Sequence, residues 1–100
     1  MNRSEILRIA EQCITVDRAA THGDAEDSFQ FIGDLWSVYL GLNTRLLPRD
    51  VAIMMVLFKV ARFKSNAAHT DNAVDMAGYA ALAGEMGIDK GGCRDTRRVD

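Results

Sequence analysis

Apolar residues recur along this chain in four successive stretches, separated by short polar or glycine-containing breaks. In the first, Ile6, Ile9, Ala10, Cys13, Ile14 and Val16 fall on one side of a helical wheel, the recurrence of an amphipathic helix. Ser4 is placed to cap it, with Glu5 in the opening turn where the helix dipole favours an acid. The pattern continues to about Ala20. Cys13 lies on the apolar side and is expected to be buried as a small hydrophobe. Thr21-His22-Gly23-Asp24 then interrupts the pattern. Gly23 suits a left-handed C-terminal cap, Asp24 suits the N-cap of a second helix, and Glu26 and Asp27 suit its first turn. The inward stripe of that helix is Phe29, Ile32, Gly33, Trp36, Tyr39 and Leu40, and Gly33 lets another helix approach closely. Gly41 closes the helix.

The third stretch, Pro48 to Lys64, organises the rest. From Val51 to Phe63 it is apolar on every side of the wheel apart from Lys59 and Arg62. Such a helix needs cover on most of its circumference, and a run this short does not span a bilayer, which takes roughly 20 residues. It therefore reads as the buried central helix of a small bundle. Met55, Leu57, Phe58, Trp36, Phe29 and Ile9 are expected to form one core cluster. Pro48 fits the first helical position, whereas Leu47 stands where a Thr, Ser or Asp cap is expected, unless Thr44 or another group substitutes. After a polar loop from Lys64 to Thr70, Thr70 or Asp71 caps a fourth helix. Asp71, Asp75, Gly78, Tyr79 and Leu82 share one face of it, and Ala73, Met76, Ala77, Ala80 and Ala81 another. From Gly87 onward the glycines and charges predict a disordered or frayed polar tail. The expected architecture is all-α, a compact bundle of about four helices, with a helical domain over 1–87 and a tail over 88–100.

Composition narrows the function. Twelve basic and 14 acidic residues give a formal charge of −2 and a pI near 5.6, which disfavours direct binding to nucleic acid. Cys13 and Cys93 are far apart in the sequence and form no C-x-x-C motif, so reduced thiols are expected and zinc is not. No secretory signal precedes the first amphipathic pattern. A cytoplasmic location with no membrane association is the expectation.

Two polar constellations stand out. Lys59 and Arg62, three residues apart, share a face of the third helix, and a short loop sets Asp71, Asp75 and Tyr79 of the fourth opposite them. A cation in so apolar a helix must be paired. One reading is a buried ion-pair network locking the two helices together. The other is a phosphate or Mg²⁺ site, because carboxylates one turn apart hold Mg²⁺ and Lys or Arg hold phosphate oxygens. The second constellation is acidic: Asp17, Asp24, Glu26, Asp27 and Asp34 stand against Arg18 alone. It is either a solvated helix start that compensates the dipole or a docking surface for a basic partner. His22 reads as a loop residue, with no Ser or Cys placed to make it part of a triad.

Several of these residues in order, Asp17-Arg18, Gly23, Phe29, Trp36, Pro48-x-Asp50-Val51-Ala52, Lys59-x-x-Arg62 and Asp71-x-x-x-Asp75-x-x-Gly78-Tyr79, resemble a family of short phage and prophage proteins of unknown function. The resemblance covers roughly residues 5–85. That family is distantly similar to the all-α, MazG-type nucleoside triphosphate pyrophosphohydrolases, whose E-x-x-E pairs present carboxylates to Mg²⁺; no E-x-x-E occurs in this chain. The resemblance implies a phage origin and a helical bundle. Two functional expectations follow. One is a phage-encoded, non-enzymatic inhibitor without a cofactor, which binds a host nucleic-acid-processing complex in the bacterial cytoplasm as anti-CRISPR proteins do. Its acidic residues Asp17, Asp24, Glu26, Asp27 and Asp34 would meet the basic surface of that complex. The alternative is a Mg²⁺-dependent nucleotide-binding or pyrophosphohydrolase-like protein built on Lys59, Arg62, Asp71, Asp75 and Tyr79. A homodimer is compatible with either.

Overall fold

A computed structural model of the 100-residue chain describes residues 1–17 and 24–86, with the side chain of Asp17 left out. Among the described residues there are four α-helices and no strand: α1 (Arg3–Gln12), extended by a π-helical turn (Cys13–Asp17), α2 (Ala25–Leu40), α3 (Pro48–Ser65) and α4 (Asp71–Glu85). The all-α expectation holds. No helix among the described residues is long and apolar enough to cross a membrane. The expectations for Arg18, His22, Gly23 and the tail over 88–100 lie outside the described residues.

The helix ends show how local chemistry sets the boundaries. Asn2, not Ser4, caps α1: its side-chain oxygen accepts the Glu5 N–H at 2.8 Å, while Glu5 accepts the Asn2 N–H at 2.9 Å. This reciprocal capping box satisfies two otherwise orphaned donors. The π turn that follows winds more widely than an α-helix and shifts the register of the apolar stripe. Ile14 stays against the core, but Cys13 is exposed, contrary to its expected burial. Asp24 caps α2 by accepting the Glu26 N–H at 3.0 Å, and Gly41 ends it in the left-handed region at φ 68°. For α3, Asp50 makes up for Leu47 by accepting the Leu47 N–H at 2.9 Å, with Pro48 leading the first turn. Neither Thr70 nor Asp71 caps α4 through its side chain. Asn72, only 2 % exposed, instead donates its amide to the Asn66 carbonyl at 3.1 Å and pins the α3–α4 turn.

The core brings together Phe29, Val51, Ala52, Leu82, Ala83 and Met86, with Ile14, Ala25, Ile32, Trp36, Met55 and Tyr79 packed around them. Full burial of a side chain such as Phe29 stabilises by roughly 1.5–3 kcal/mol. Helix α3 contacts both α2 and α4 and is central in that sense, but it is not buried along its length. Only Val51 and Ala52 are fully enclosed, while Ile53, Leu57, Phe58, Val60 and Phe63 are exposed. The expected core cluster therefore divides. Phe29, Trp36 and Met55 belong to it, Leu57 and Phe58 do not, and Ile9 is half-buried outside it. Helix α2 meets α3 at its start, with Gly33 against Val51 and Trp36 packed on the core, whereas Tyr39 and Leu40, expected on the inward stripe, are 87% and 55% exposed because α2 runs past its contact with α3 there. Further along α3 the packing comes from α4, as in the Lys59–Asp75 contact, and the opposite side stays open.

Candidate functional site

Of the residues expected on the α3–α4 face, Lys59 and Asp75 meet. The ammonium of Lys59 lies 2.8 Å from the Asp75 carboxylate, with the side chains 14 % and 38 % exposed. A pair at this depth falls between a surface bridge, worth about 0–1 kcal/mol, and a buried one. The same ammonium sits 5.7 Å from the Phe58 ring centre, and the Arg62 guanidinium lies 5.5 Å from that ring. Both are within cation–π range. Arg62 is exposed and has no ion pair among the described residues. Asp71 turns instead to His69, 3.6 Å away and cationic only when the imidazole is protonated. Tyr79 packs its ring against Phe29, centres 6.2 Å apart. The five residues thus divide into one half-buried pair, one stacked cation, one exposed acid and one core aromatic.

This arrangement does not fit a resident Mg²⁺, which takes one or two carboxylates with water and phosphate oxygens in near-octahedral geometry. The Asp75 carboxylate faces Lys59 and that of Asp71 faces His69. Among the described residues no three His, Cys, Asp or Glu side chains come together as a metal site.

The acidic constellation also divides. Asp24 is occupied as a cap, while Glu26 and Asp27 are exposed at the start of α2 with no ion pair among the described residues. Asp17 lies in the π turn, and its side chain is outside the description. Asp34 is matched: Arg45 donates to its two oxygens at 3.0 Å each, and the Gln30 amide donates at 3.0 Å. The Arg45 hydrogen bonds hold the Asp34 carboxyl below its ordinary value of 3.8, against the opposing effect of desolvation and with help from Gln30 and the Arg45 charge. Asp34 therefore belongs to a structural clamp and not to an open acidic surface.

That clamp was hidden in the sequence. Ser37, buried on α2, donates to the Gly33 carbonyl at 2.7 Å and accepts the Leu46 N–H at 2.7 Å, and Gln30 donates to the Leu46 carbonyl at 3.1 Å. The loop after Gly41 is thereby tied back along α2. A hydroxyl among apolar residues facing the core was the available signal, since a buried polar group needs a partner. Beside the clamp is an open hollow of about 400 Å³ lined by Asp34, Ser37, Val38, Leu42, Asn43 and Arg45. Its charged groups, Asp34 and Arg45, already answer each other.

Comparison with known proteins gives a family. Residues 5–87 match the family described as "Domain of unknown function (DUF6378)". The chain is 43% identical over 81 residues to the Gene 55 protein of Mycobacterium phage L5, a match covering 81% of this chain and 51% of that protein. It is 39% identical over 75 residues to the Gene 55 protein of Mycobacterium phage D29, covering 75% of this chain and 48% of that one. The chain thus spans about half the length of these curated relatives. No solved structure matches it.

Proposed function

The chain belongs to the DUF6378 family, whose members similar to it include phage proteins, and on that premise we propose that it is a phage-derived, non-catalytic binding protein that occupies a basic, nucleic-acid-binding surface of a host complex, as anti-CRISPR proteins do. The observation carrying this reading is the contrast among its acids. Asp34, Asp71 and Asp75 each face a basic side chain, while Glu26 and Asp27 project beside the capping Asp24 with no cation against them among the described residues. The positive end of α2 offsets about half a charge, which leaves roughly −2.5 concentrated on one helical turn. Such a patch raises the encounter rate with a basic groove and competes there with DNA or RNA phosphates. The overall acidity of the chain acts in the same direction.

The test uses capture from a bacterial lysate at low salt, comparing the wild type with a chain carrying Asp24→Lys, Glu26→Lys and Asp27→Lys. A neutral control carries Asp24→Asn, Glu26→Gln and Asp27→Asn, which keeps a capping residue at the start of α2. The wild type is expected to retain a nucleic-acid-binding complex depleted of its nucleic acid. The reversed chain should lose it, with the difference shrinking as salt screens the patch over a Debye length near 10 Å at 0.1 M. A folded reversed chain that captures the same complex equally well would remove the acidic start of α2 from the interface.

A further inference from the structure

Helix α2 is apolar on two opposite faces. Phe29, Gly33 and Trp36 turn to the core, while Phe31, Leu35, Val38 and Tyr39 turn away from it and are 66%, 55%, 81% and 87% exposed. These four recur at the spacing of one helical stripe. Helix α3 also leaves apolar side chains open past its first turn: Ile53, Leu57, Phe58 and Val60 are 46%, 61%, 47% and 46% exposed. Between the two stripes lies an open apolar hollow of about 250 Å³, lined by Trp36, Tyr39, Leu40 and Met54. It links the stripes at the point where the helices meet.

We infer that this outer face of α2 and α3 is the interface of a homodimer, the same patch of a second copy closing over it. Area is the first reason. Taking roughly 150–200 Å² for a large side chain left fully open, the eight exposures amount to roughly 700–1,000 Å² over the two helices. The largest apolar patch on a typical monomer is about 300–600 Å², whereas a stable interface takes about 800 Å² from each partner. Chemical character is the second reason. The eight side chains are uncharged and the charges beside them stand at the border, Lys59 and Arg62 against Phe58 and the Asp34–Arg45 pair beside Val38, which is the apolar centre and polar rim of an interface between chains. Constancy is the third. A face this large needs cover whenever the chain is folded, and another copy is present wherever the chain is made. An isologous pairing satisfies both copies at once, because each supplies the patch the other lacks. Dimerisation of this kind goes beyond the binding role above and does not depend on it; Glu26 and Asp27 precede the stripe, Asp27 one turn ahead of Phe31.

The experiment combines sedimentation equilibrium with hydroxyl-radical footprinting of the purified wild-type chain. The expected mass is twice the 11.0 kDa of one chain. Tyr39, although 87% exposed in the protomer, should label several-fold more slowly than a free tyrosine, and Phe31 and Leu57 should be protected with it. Leu57→Lys should shift the mass to that of one chain while circular dichroism stays helical. Should that variant unfold instead, the wild-type footprint still decides the matter. A single-chain mass at every concentration reached would overturn the inference, as would a dimer in which Tyr39 labels at the free rate. Protection of Tyr39 only after a host protein is added would assign the face to that protein instead.

Discussion

Three glycines on helices provide a graded test of the packing, because an added methyl group meets something different at each. At Gly84 on α4 a Cβ would meet nothing within 4 Å; at Gly78 it would meet the γ2-methyl of Ile14 at 3.0 Å. At Gly33 it would lie 2.7 Å from the Leu46 carbonyl oxygen and 3.3 Å from both the Leu46 carbonyl carbon and a Val51 methyl. Replacing a helical Gly by Ala gains about 0.5–1 kcal/mol from backbone entropy. Gly84→Ala should realise that gain in full. At Gly78 a small movement of Ile14 offsets most of it, so Gly78→Ala should be near neutral. At Gly33 the obstacle is a backbone carbonyl that Gln30 holds at 3.1 Å, in a residue whose N–H Ser37 holds at 2.7 Å. It cannot shift as a side-chain methyl can. Forcing a methyl into such a site costs typically about 1–3 kcal/mol, and with an unyielding carbonyl at 2.7 Å the upper part of that range applies, so the net change for Gly33→Ala is a loss of about 1–2.5 kcal/mol. Urea denaturation at one fixed protein concentration is the assay, with the shift read in the midpoint at an unchanged slope. In a domain of this size about 1 kcal/mol moves Tm by ~4–8 °C, so the order Gly84→Ala, Gly78→Ala, Gly33→Ala should be plain in a melt as well. A Gly33→Ala chain as stable as the wild type would refute the close approach of the loop to α2.

Other perturbations address the charged groups and the core. Lys59→Ala should cost about 1–3 kcal/mol, above a surface pair and below a buried one; the Lys59→Met, Asp75→Leu double variant should recover most of it, and strict additivity in the double-mutant cycle would deny that the two residues act together. The Asp34 carboxyl is held below its ordinary value of 3.8 in the folded chain, so its stabilising contribution is present at neutral pH and is lost as the pH falls through the folded value, below 3.8. Asp34→Asn should therefore lower the urea midpoint at pH 7 and flatten its acid dependence in that window, and an acid limb identical to the wild type's would contradict the clamp. Phe29→Ala should cost on the order of 3–5 kcal/mol because Phe29 is buried among α2, α3 and α4; calorimetry showing an unchanged Tm would displace it from the core.

What the sequence revealed depended on whether the deciding interaction was local. Gly41, Asp24 and Pro48 marked helix boundaries because each acts within a turn of its own position. Lys59 and Asp75 could be set opposite each other because a short loop leaves two helices little choice but to lie antiparallel. Ser4 was the wrong cap by two residues, since Asn2 and Glu5 satisfy each other better than Ser4 can alone. Cys13 turned outward because the π turn breaks the helical period on which its expected burial rested. The larger misreading concerned α3. Apolarity on all sides says that a helix needs cover, but not that its own chain supplies it, and the expected burial of Leu57 and Phe58 rests on that assumption. Asn72, Ser37 and Arg45 take their roles from contacts between a helix and a loop several residues away, which periodicity does not register.

The tethered loop between α2 and α3 reverses the usual advice about where such a chain can be altered. Surface connections are ordinarily the places to insert a tag, open a new terminus or lengthen the backbone. Here the segment after Gly41 works as a strap: Leu46 is held at both its N–H and its carbonyl, and Arg45 is locked on Asp34. One added residue between Leu42 and Arg45 would pull those fastenings out of register and misdirect the first turn of α3, which carries Val51 and Ala52 into the core. The exposed turn at Ala67 and Ala68 makes the better opening for a label or a permuted terminus. The bonds at stake there both end on the Asn66 carbonyl, one from the His69 N–H and one from the buried Asn72 amide.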